Sequence, residues 1–320
     1  MLVDGKWTED WQPVQKADKD GRFVRQTSAF RNWITPDAAP GPTGTGGFKA
    51  EAGRYRLYVA LICPWASRTL AARALKGLED VIAVTVVDPQ LTDQGWAFGG
   101  RGEADPLHAS EFMHGLYTRA DPHYTGRATV PVLWDEKQDV MVNNESADIL
   151  AMLDSAFEGI VSSDLRLRPE GLLDQVEALN ADIYDRLNNG VYKAGFASSQ
   201  KAYDEAVEGV FASLDMLEAR LEGQADGPFL FGGAPTETDV RLFVTLVRFD
   251  AAYHNIFKCN WKRIADYPRL QAHTEAMLAL PGLRGTVNMA HILAGYYSVK
   301  ALNPTGITPK PPAHVAAMLA

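Results

Sequence analysis

Cys63 stands in the run Tyr58-Val59-Ala60-Leu61-Ile62-Cys63-Pro64-Trp65-Ala66, and this is the stretch best suited to chemistry. An apolar, strand-like segment ends at the cysteine and a proline follows at once. Proline suits the first position of a helix, where its missing N–H would have had no partner. The alanine- and leucine-rich pattern running on to Gly77 predicts that helix. Cys63 is then the N-cap, facing the backbone N–H groups of the first turn and the positive end of the helix dipole. Thiols in such settings ionise at roughly pH 3.5–7.5 instead of about 8.5. Three residues on stands Ala66, not a second cysteine, so the pattern is not a dithiol redox pair. A lone nucleophilic thiol needs an external thiol to complete a cycle. The competing reading is a small buried hydrophobe, the usual fate of a cysteine; the strand-to-helix position favours the nucleophile. Cys259, in Phe257-Lys258-Cys259-Asn260, has no activating context and reads as structural.

Glu145-Ser146 opens a second helix. Its first N–H groups suit a carboxylate, Ser146 adds a hydroxyl, and Glu145 can take an ammonium. Simple capping uses the same residues and coexists with ligand binding. Thr236-Glu237-Thr238-Asp239 places a hydroxyl at an N-cap and a carboxylate at N3, a capping-box pattern read as structural. Losing such a cap costs about 1 kcal/mol. The seven histidines are scattered, and none falls in a zinc pattern.

The elements that must position these residues can be read from periodicity. Residues 54–62 read as a strand, 64–76 as a helix and 81–87 as a second strand, a βαβ unit with parallel strands. Residues 88–127 show no strong period, and an insertion of about 40 residues is often functional. Residues 129–134 and 140–142 read as two more strands, and a helix follows from Glu145 to about Phe157. From about Leu165 the pattern is helical almost throughout. Residues 1–50 are polar and irregular, with Trp7, Trp11, Phe23, Phe30 and Trp33 spaced through them. They read as an arm that lays its aromatic rings on the rest of the chain.

Composition narrows the classes. A chain of 320 residues suggests two domains at roughly 100–200 residues each. A net charge of −9 argues against nucleic acid as a partner. The charged N-terminus is not a secretory signal, and the longest apolar run, Leu57 to Ala66, is far short of the ~20 residues of a membrane helix. Two cysteines in such a chain argue for a reducing compartment, hence a cytoplasmic protein.

Several motifs in one order carry a resemblance. They are Cys63-Pro64-Trp65-Ala66, Arg127-Ala128-Thr129-Val130-Pro131-Val132-Leu133-Trp134-Asp135, Asn144-Glu145-Ser146, Asn188-Asn189-Gly190-Val191-Tyr192 and Asn303-Pro304-Thr305-Gly306-Ile307. Ser28-Ala29-Phe30-Arg31 and Arg248-Phe249-Asp250 join them. Together they resemble the xi class of the glutathione transferase superfamily, the glutathionyl-hydroquinone reductases, over nearly the whole chain.

The resemblance implies an α/β plus all-α fold. A thioredoxin-like glutathione-binding domain (51–160) follows an arm (1–50) and precedes an all-helical substrate and dimerisation domain (165–320). It implies glutathione as co-substrate, with no metal and no nucleotide, a small aromatic glutathionyl conjugate as substrate, and a homodimer. Cys63 becomes the catalytic nucleophile. Val130-Pro131 resembles the cis-proline corner where the cysteinyl part of glutathione docks on the Val130 backbone. Arg127, Ala128, Thr129 and Val130 line that corner, Arg127 bonding a carboxylate, and Glu145 with Ser146 takes the γ-glutamyl end. Trp96 resembles a tryptophan that contacts glutathione. Tyr192 is the acid/base tyrosine, and Tyr253 and Tyr296 complete the substrate pocket. The family pattern near Tyr296 reads roughly His-Tyr-Tyr-x-Ser-His. Here it is Gly295-Tyr296-Tyr297-Ser298-Val299-Lys300, one residue shorter and without the histidines. An omega-like thiol transferase or dehydroascorbate reductase would use the same Cys63, and a non-catalytic binding module is a third reading.

Overall fold

The opening residues are more regular than their composition suggests. Leu2–Val3 (β1) pairs antiparallel with Lys6–Trp7 (β2), turned by Asp4 and Gly5 at φ of 47° and 71°. An Asp-Gly pair is the residue choice for that left-handed turn. Ile34–Thr35 (β3) runs parallel to Phe48–Lys49 (β4). The irregular arm is thus corrected at both ends. Trp7 stacks on His114 and Phe30 lies against Tyr117 and Tyr124, whereas Trp11 and Phe23 lie outside the described residues. This computed structural model describes residues 1–8, 18–22 and 26–320. They divide into two units, one of residues 1–8 and 26–164, the other of 18–22 and 165–320.

The first unit is built on Tyr55–Val59 (β5). Tyr55, Leu57, Tyr58 and Val59 are wholly buried, as expected of a central strand covered on both faces. After β5 come Pro64–Leu75 (α1), Ile82–Val86 (β6), Met113–Ala120 (α2), Val132–Asp135 (β7), Val140–Asn143 (β8) and Ser146–Ser155 (α3). The sheet order is β6-β5-β7-β8; β6 is parallel to β5, while β7 and β8 run antiparallel to their neighbours. The predicted strand at 54–62 stops at Val59, because residues 60–63 turn into α1. Helices α1 and α3 pack together, and a buried Lys76–Asp154 ion pair at 3.1 Å joins their ends. The insertion expected to lack periodic structure contains α2, which buries Met113, Leu116 and Tyr117.

The second unit is helical: Leu173–Asp182 (α4), Gly190–Gly195 (α5), Gln200–Glu222 (α6), Glu237–Arg248 (α7), Pro268–Ala279 (α8), Met289–Tyr297 (α9) and Ala313–Leu319 (α10). All of α7 is buried, although it carries six polar or charged side chains in its first and last turns and centre. Each charge meets a partner. Glu237 pairs with Arg168 and with Arg241, and Asp239 accepts from Thr236 N (2.7 Å) and Thr236 Oγ1 (2.8 Å). Two π-helical turns, Ile183–Asn188 and Phe249–Tyr253, follow α4 and α7 directly.

Candidate active site

The thiol corner forms as β5 gives way to α1. Cys63 is extended (φ −74°, ψ 117°), as a residue before proline must be. Its N–H donates to Ala60 O at 2.9 Å, and its C=O accepts the first helical bond, from Ser67 N at 2.9 Å. Pro64 fills N1, so the thiol sits at the head of α1, partly exposed. Sγ lies 3.8 Å from the carbonyl oxygen of Val130, and the Val130–Pro131 peptide is cis. One turn on, Arg68 is buried with its guanidinium 4.4 Å from the Trp65 ring and Nη1 3.4 Å from Ser146 Oγ.

The segments expected to hold glutathione meet at a residue that sequence reasoning missed. The Tyr117 hydroxyl donates to Thr129 O (3.0 Å), accepts from Thr129 N (3.1 Å) and Asn144 Nδ2 (3.0 Å), and also lies 3.1 Å from Thr129 Oγ1. One donor and two acceptor sites are all a hydroxyl has. Burial pushes this phenol up, against the pull of those bonds. Beyond it, Asn144 N donates to Phe30 O (3.1 Å) and Phe30 N to Asn144 Oδ1 (3.1 Å). Glu145 caps α3: Oε1 accepts from Ala147 N at 3.2 Å, and Oε2 accepts from Ser28 Oγ at 2.9 Å. Behind the cap, Asp148 forms a two-pronged ion pair with Arg31 and accepts from Asn143 Nδ2 at 3.2 Å.

Arg127 is anchored through its backbone, its N–H donating to Gln26 Oε1 and its C=O accepting from Tyr124. Ala128 and Thr129 follow it towards the buried Val130. Trp96 is half-buried in the loop after β6, its C=O accepting from Met113 N at 2.9 Å. Among the described residues, no hydrogen bond joins the Trp96 side chain to the Thr129–Asn144 network.

In the second unit the three tyrosines meet. The Tyr296 hydroxyl lies 2.6 Å from that of Tyr192 and 2.8 Å from that of Tyr253. Tyr192 projects from α5, Tyr253 ends the second π-helical turn, and Tyr296 lies near the end of α9. Tyr192 is half-exposed; the other two are buried. Phe257 packs among all three rings at 5.1–5.5 Å between centroids. The shortened motif still delivers Tyr296 to the cluster, while Tyr297 donates to Ala251 O at 3.2 Å. Burial first, then the neighbouring phenols, push Tyr296 well above the ordinary tyrosine range, with Arg248 opposing. It therefore stays protonated at neutral pH and holds its hydrogen bonds to the other two phenols. The π-helical turns help to aim the cluster, a common use of such turns at functional sites. Asn188 ties the first of them to α7 through Arg241 O (2.9 Å) and Thr245 Oγ1 (2.8 Å).

The other cysteine behaves differently. Cys259 is fully buried, and burial pushes its thiol up to about 12. The signal for Tyr117 was present in the sequence. Met113, Leu116 and Tyr117 at i, i+3 and i+4 mark one face of a short helix.

Comparison with known proteins gives two family matches: residues 62–156 match the glutathione S-transferase N-terminal domain, and residues 200–276 the C-terminal domain. Glutathionyl-hydroquinone reductase YqjG of Escherichia coli is 51% identical, over 96% of this chain and 93% of its own. Its glutathione-bound structure superposes with a TM-score of 0.88 at 47% identity, covering 97% of this chain and 95% of that one. Glutathionyl-hydroquinone reductase PcpF of Sphingobium chlorophenolicum is 42% identical over 98% of this chain and 96% of its own. The Xi glutathione-S-transferase of Phanerochaete chrysosporium gives a TM-score of 0.88 at 44% identity, covering 94% of this chain and 98% of that one.

Proposed function

This chain belongs to the glutathione S-transferase family, in its Xi class, and from that premise we propose that it reduces S-glutathionyl-hydroquinones to hydroquinones at the expense of glutathione. The Cys63 thiolate attacks the glutathionyl sulfur of the conjugate. A sulfur–sulfur bond forms, the aromatic carbon–sulfur bond breaks, and its electron pair stays on the ring carbon. That carbon takes a proton from Tyr192, behind which Tyr296 and Tyr253 are hydrogen-bonded in series. The hydroquinone leaves, and Cys63 carries glutathione as a mixed disulfide. A second glutathione thiolate attacks the bound glutathionyl sulfur, leaves as oxidised glutathione and restores the Cys63 thiolate. The thioether sulfur of the conjugate and the thiol of the second glutathione together lose two electrons as they join in the disulfide, the ring carbon gains two, and the proton of that thiol balances the one placed on the ring. With Ala66 in place of a second cysteine, no internal thiol at that position competes for the mixed disulfide.

The first unit holds glutathione in this reading. Val130 pairs with its cysteinyl backbone, Arg127 and Trp96 hold it from the flanking loops, and Ala128 and Thr129 shape the approach. Ser146 and the head of α3 take the γ-glutamyl carboxylate, and Glu145 takes its ammonium. Residues 51–160 form the glutathione-binding domain and 165–320 the substrate and dimerisation domain of a cytoplasmic homodimer. Among the described residues no helix is long and apolar enough to cross a membrane, and the scarcity of cysteine fits a reducing compartment. Light scattering tests the dimer.

The observation that carries the reductase over plain thiol exchange is the chain of three phenols. Exchange between sulfurs needs no carbon protonated, so it has no use for Tyr192, Tyr253 and Tyr296 in contact. The test is mass spectrometry of products after mixing the protein with glutathione and a glutathionyl-hydroquinone. Hydroquinone plus oxidised glutathione, absent in Cys63→Ala, is the expected result. An untouched conjugate with a glutathione adduct on Cys63 moves the function to a general thiol transferase.

A further inference from the structure

We propose that the N-terminal hairpin β1–β2 is a positioning clamp for the glycyl end of glutathione, with Trp7 acting on the loop that carries Trp96 and Leu2 on the segment that carries Arg127; this deepens the proposed function and rests on it. With the γ-glutamyl carboxylate at the head of α3 and the cysteinyl backbone on Val130, the glycyl carboxylate is the one left for Arg127. Strand β1 is joined to the residues just before that arginine. Leu2 N donates to Gly126 O at 2.9 Å and Gly126 N to Leu2 O at 3.0 Å, while Gly5 N donates to Tyr124 O at 3.0 Å. Asp4 N donates to Thr125 Oγ1 at 2.9 Å, and the Leu2 side chain is buried.

Strand β2 carries the other half of the clamp. Trp7 Nε1 donates to Asp93 O at 3.2 Å, in the turn that leads into Trp96. A Cβ on Gly95 would lie 3.3 Å from Trp7 Cη2, so the indole covers that turn. Thr92 and Gly95 close the turn by exchanging backbone bonds at 3.0 and 3.1 Å. The same indole stacks on His114 (4.7 Å between centroids, 25° between planes), and His114 stacks on Phe112 (5.4 Å, 12°). His114 Nε2 lies 3.2 Å from Gln94 Oε1, and Met113 N donates to Trp96 O at 2.9 Å. The turn is thus held by Trp7 and by the start of α2 alike. Residues 2–7 fix both loops to one frame, and loops ordered before a ligand arrives spare it the cost of ordering them.

Titration calorimetry with two probes on each protein tests the clamp: S-methylglutathione, and S-methyl-γ-glutamylcysteine, which lacks only the glycyl residue. The wild type is expected to bind the first more tightly. Trp7→Ala is expected to weaken S-methylglutathione about fivefold, the scale of ordering one or two side chains on binding. The shorter probe keeps its wild-type Kd. Trp7→Phe keeps a ring for the stack and loses only the bond to Asp93 O, so the ratio of the two Kd values should shift about twofold, the scale of one weak hydrogen bond. This milder variant carries the test where the alanine variant does not fold. Equal weakening of both probes makes the hairpin a general support of the unit and overturns the proposal. An unchanged ratio in the folded variants overturns it too, as does a wild type that binds both probes alike. A wild type that binds neither overturns the glutathione site and this inference with it. The expected ratios without turnover of a glutathionyl-hydroquinone overturn the reductase reading alone and sustain the clamp.

Discussion

The hydroxyl oxygens of Tyr192 and Tyr296 lie 2.6 Å apart, and Tyr253 meets the same Tyr296 hydroxyl at 2.8 Å. Tyr296 has one proton to donate, so each arrangement of the chain leaves one outer phenol accepting from it and the other donating to it or elsewhere. Tyr192 is the partly exposed end, and the buried pair behind it fixes the direction of its hydroxyl.

Replacing Tyr192 by Phe removes that end and keeps the ring. On a glutathionyl-hydroquinone, kcat/KM should fall about 100-fold, the lower range for losing a general acid. On a simple mixed disulfide of glutathione the rate should hold. Parallel steady-state assays on both substrates check this, and equal losses on both would contradict the proton-donor role.

Tyr117→Phe removes one hydroxyl and its hydrogen bonds to Thr129 and Asn144. It leaves the buried Asn144 Nδ2 facing an apolar edge, whereas Thr129 is exposed and its N–H can turn to water. A cost of about 1–3 kcal/mol follows from the stranded Asn144 donor. Chemical denaturation should show it, together with a raised KM for glutathione, because Thr129 and Asn144 flank the expected binding segments.

Gly195→Ala tests how tightly the tyrosine cluster is packed. A Cβ at Gly195 would lie 2.4 Å from Phe257 Cγ, so the ring must move towards the tyrosines it separates. Overpacking of this kind costs about 1–3 kcal/mol. Activity on the conjugate should drop in the folded variant, as measured by turnover after its thermal midpoint is confirmed. Full activity would mean the cluster yields without consequence.

High pH should destabilise the fold through its tyrosines. Burial raises Tyr55, Tyr58, Tyr117 and Tyr296 above the ordinary tyrosine value of about 10. Above about pH 10 the native state therefore holds more protons than the unfolded one, and stability falls as pH rises further. This contribution is fully present below about pH 10. Thermal midpoints should lose nothing to these groups between pH 7 and 9 and fall steeply beyond 10. A midpoint that held at pH 11 would be inconsistent with the burial described.

The nucleophile's place was legible because two local signals agreed, a strand-like run ending at Cys63 and a proline at the next residue. The capping carboxylates of Glu145 and Asp239 were legible for a similar reason: capping is local chemistry. Tyr117 was not read, because α2 is only eight residues long and holds Gly115, His114 and Thr118, which blur its period. Its three bonds reach residues 12 and 27 positions away, and no local pattern encodes those. The Asp4-Gly5 pair marks a turn, but strands of two residues are too short to carry an alternating pattern beside it. The meeting of Tyr192, Tyr253 and Tyr296 joins residues 43 and 104 positions apart, one of them in a π-helical turn, and a 3.6-residue period does not announce either.

The segment around Phe30 has a consequence for solubility. Strand β8 is the outer strand of the sheet, and an uncovered outer strand is a template on which another chain can pair. Here Asn144 N–H and Val142 C=O are taken by Phe30 and Asn32, with Arg31 bridged to Asn143. Residues 30–32 therefore close the sheet against strangers. A chain that lost them would meet intermolecular strand addition, and its first visible symptom would be aggregation.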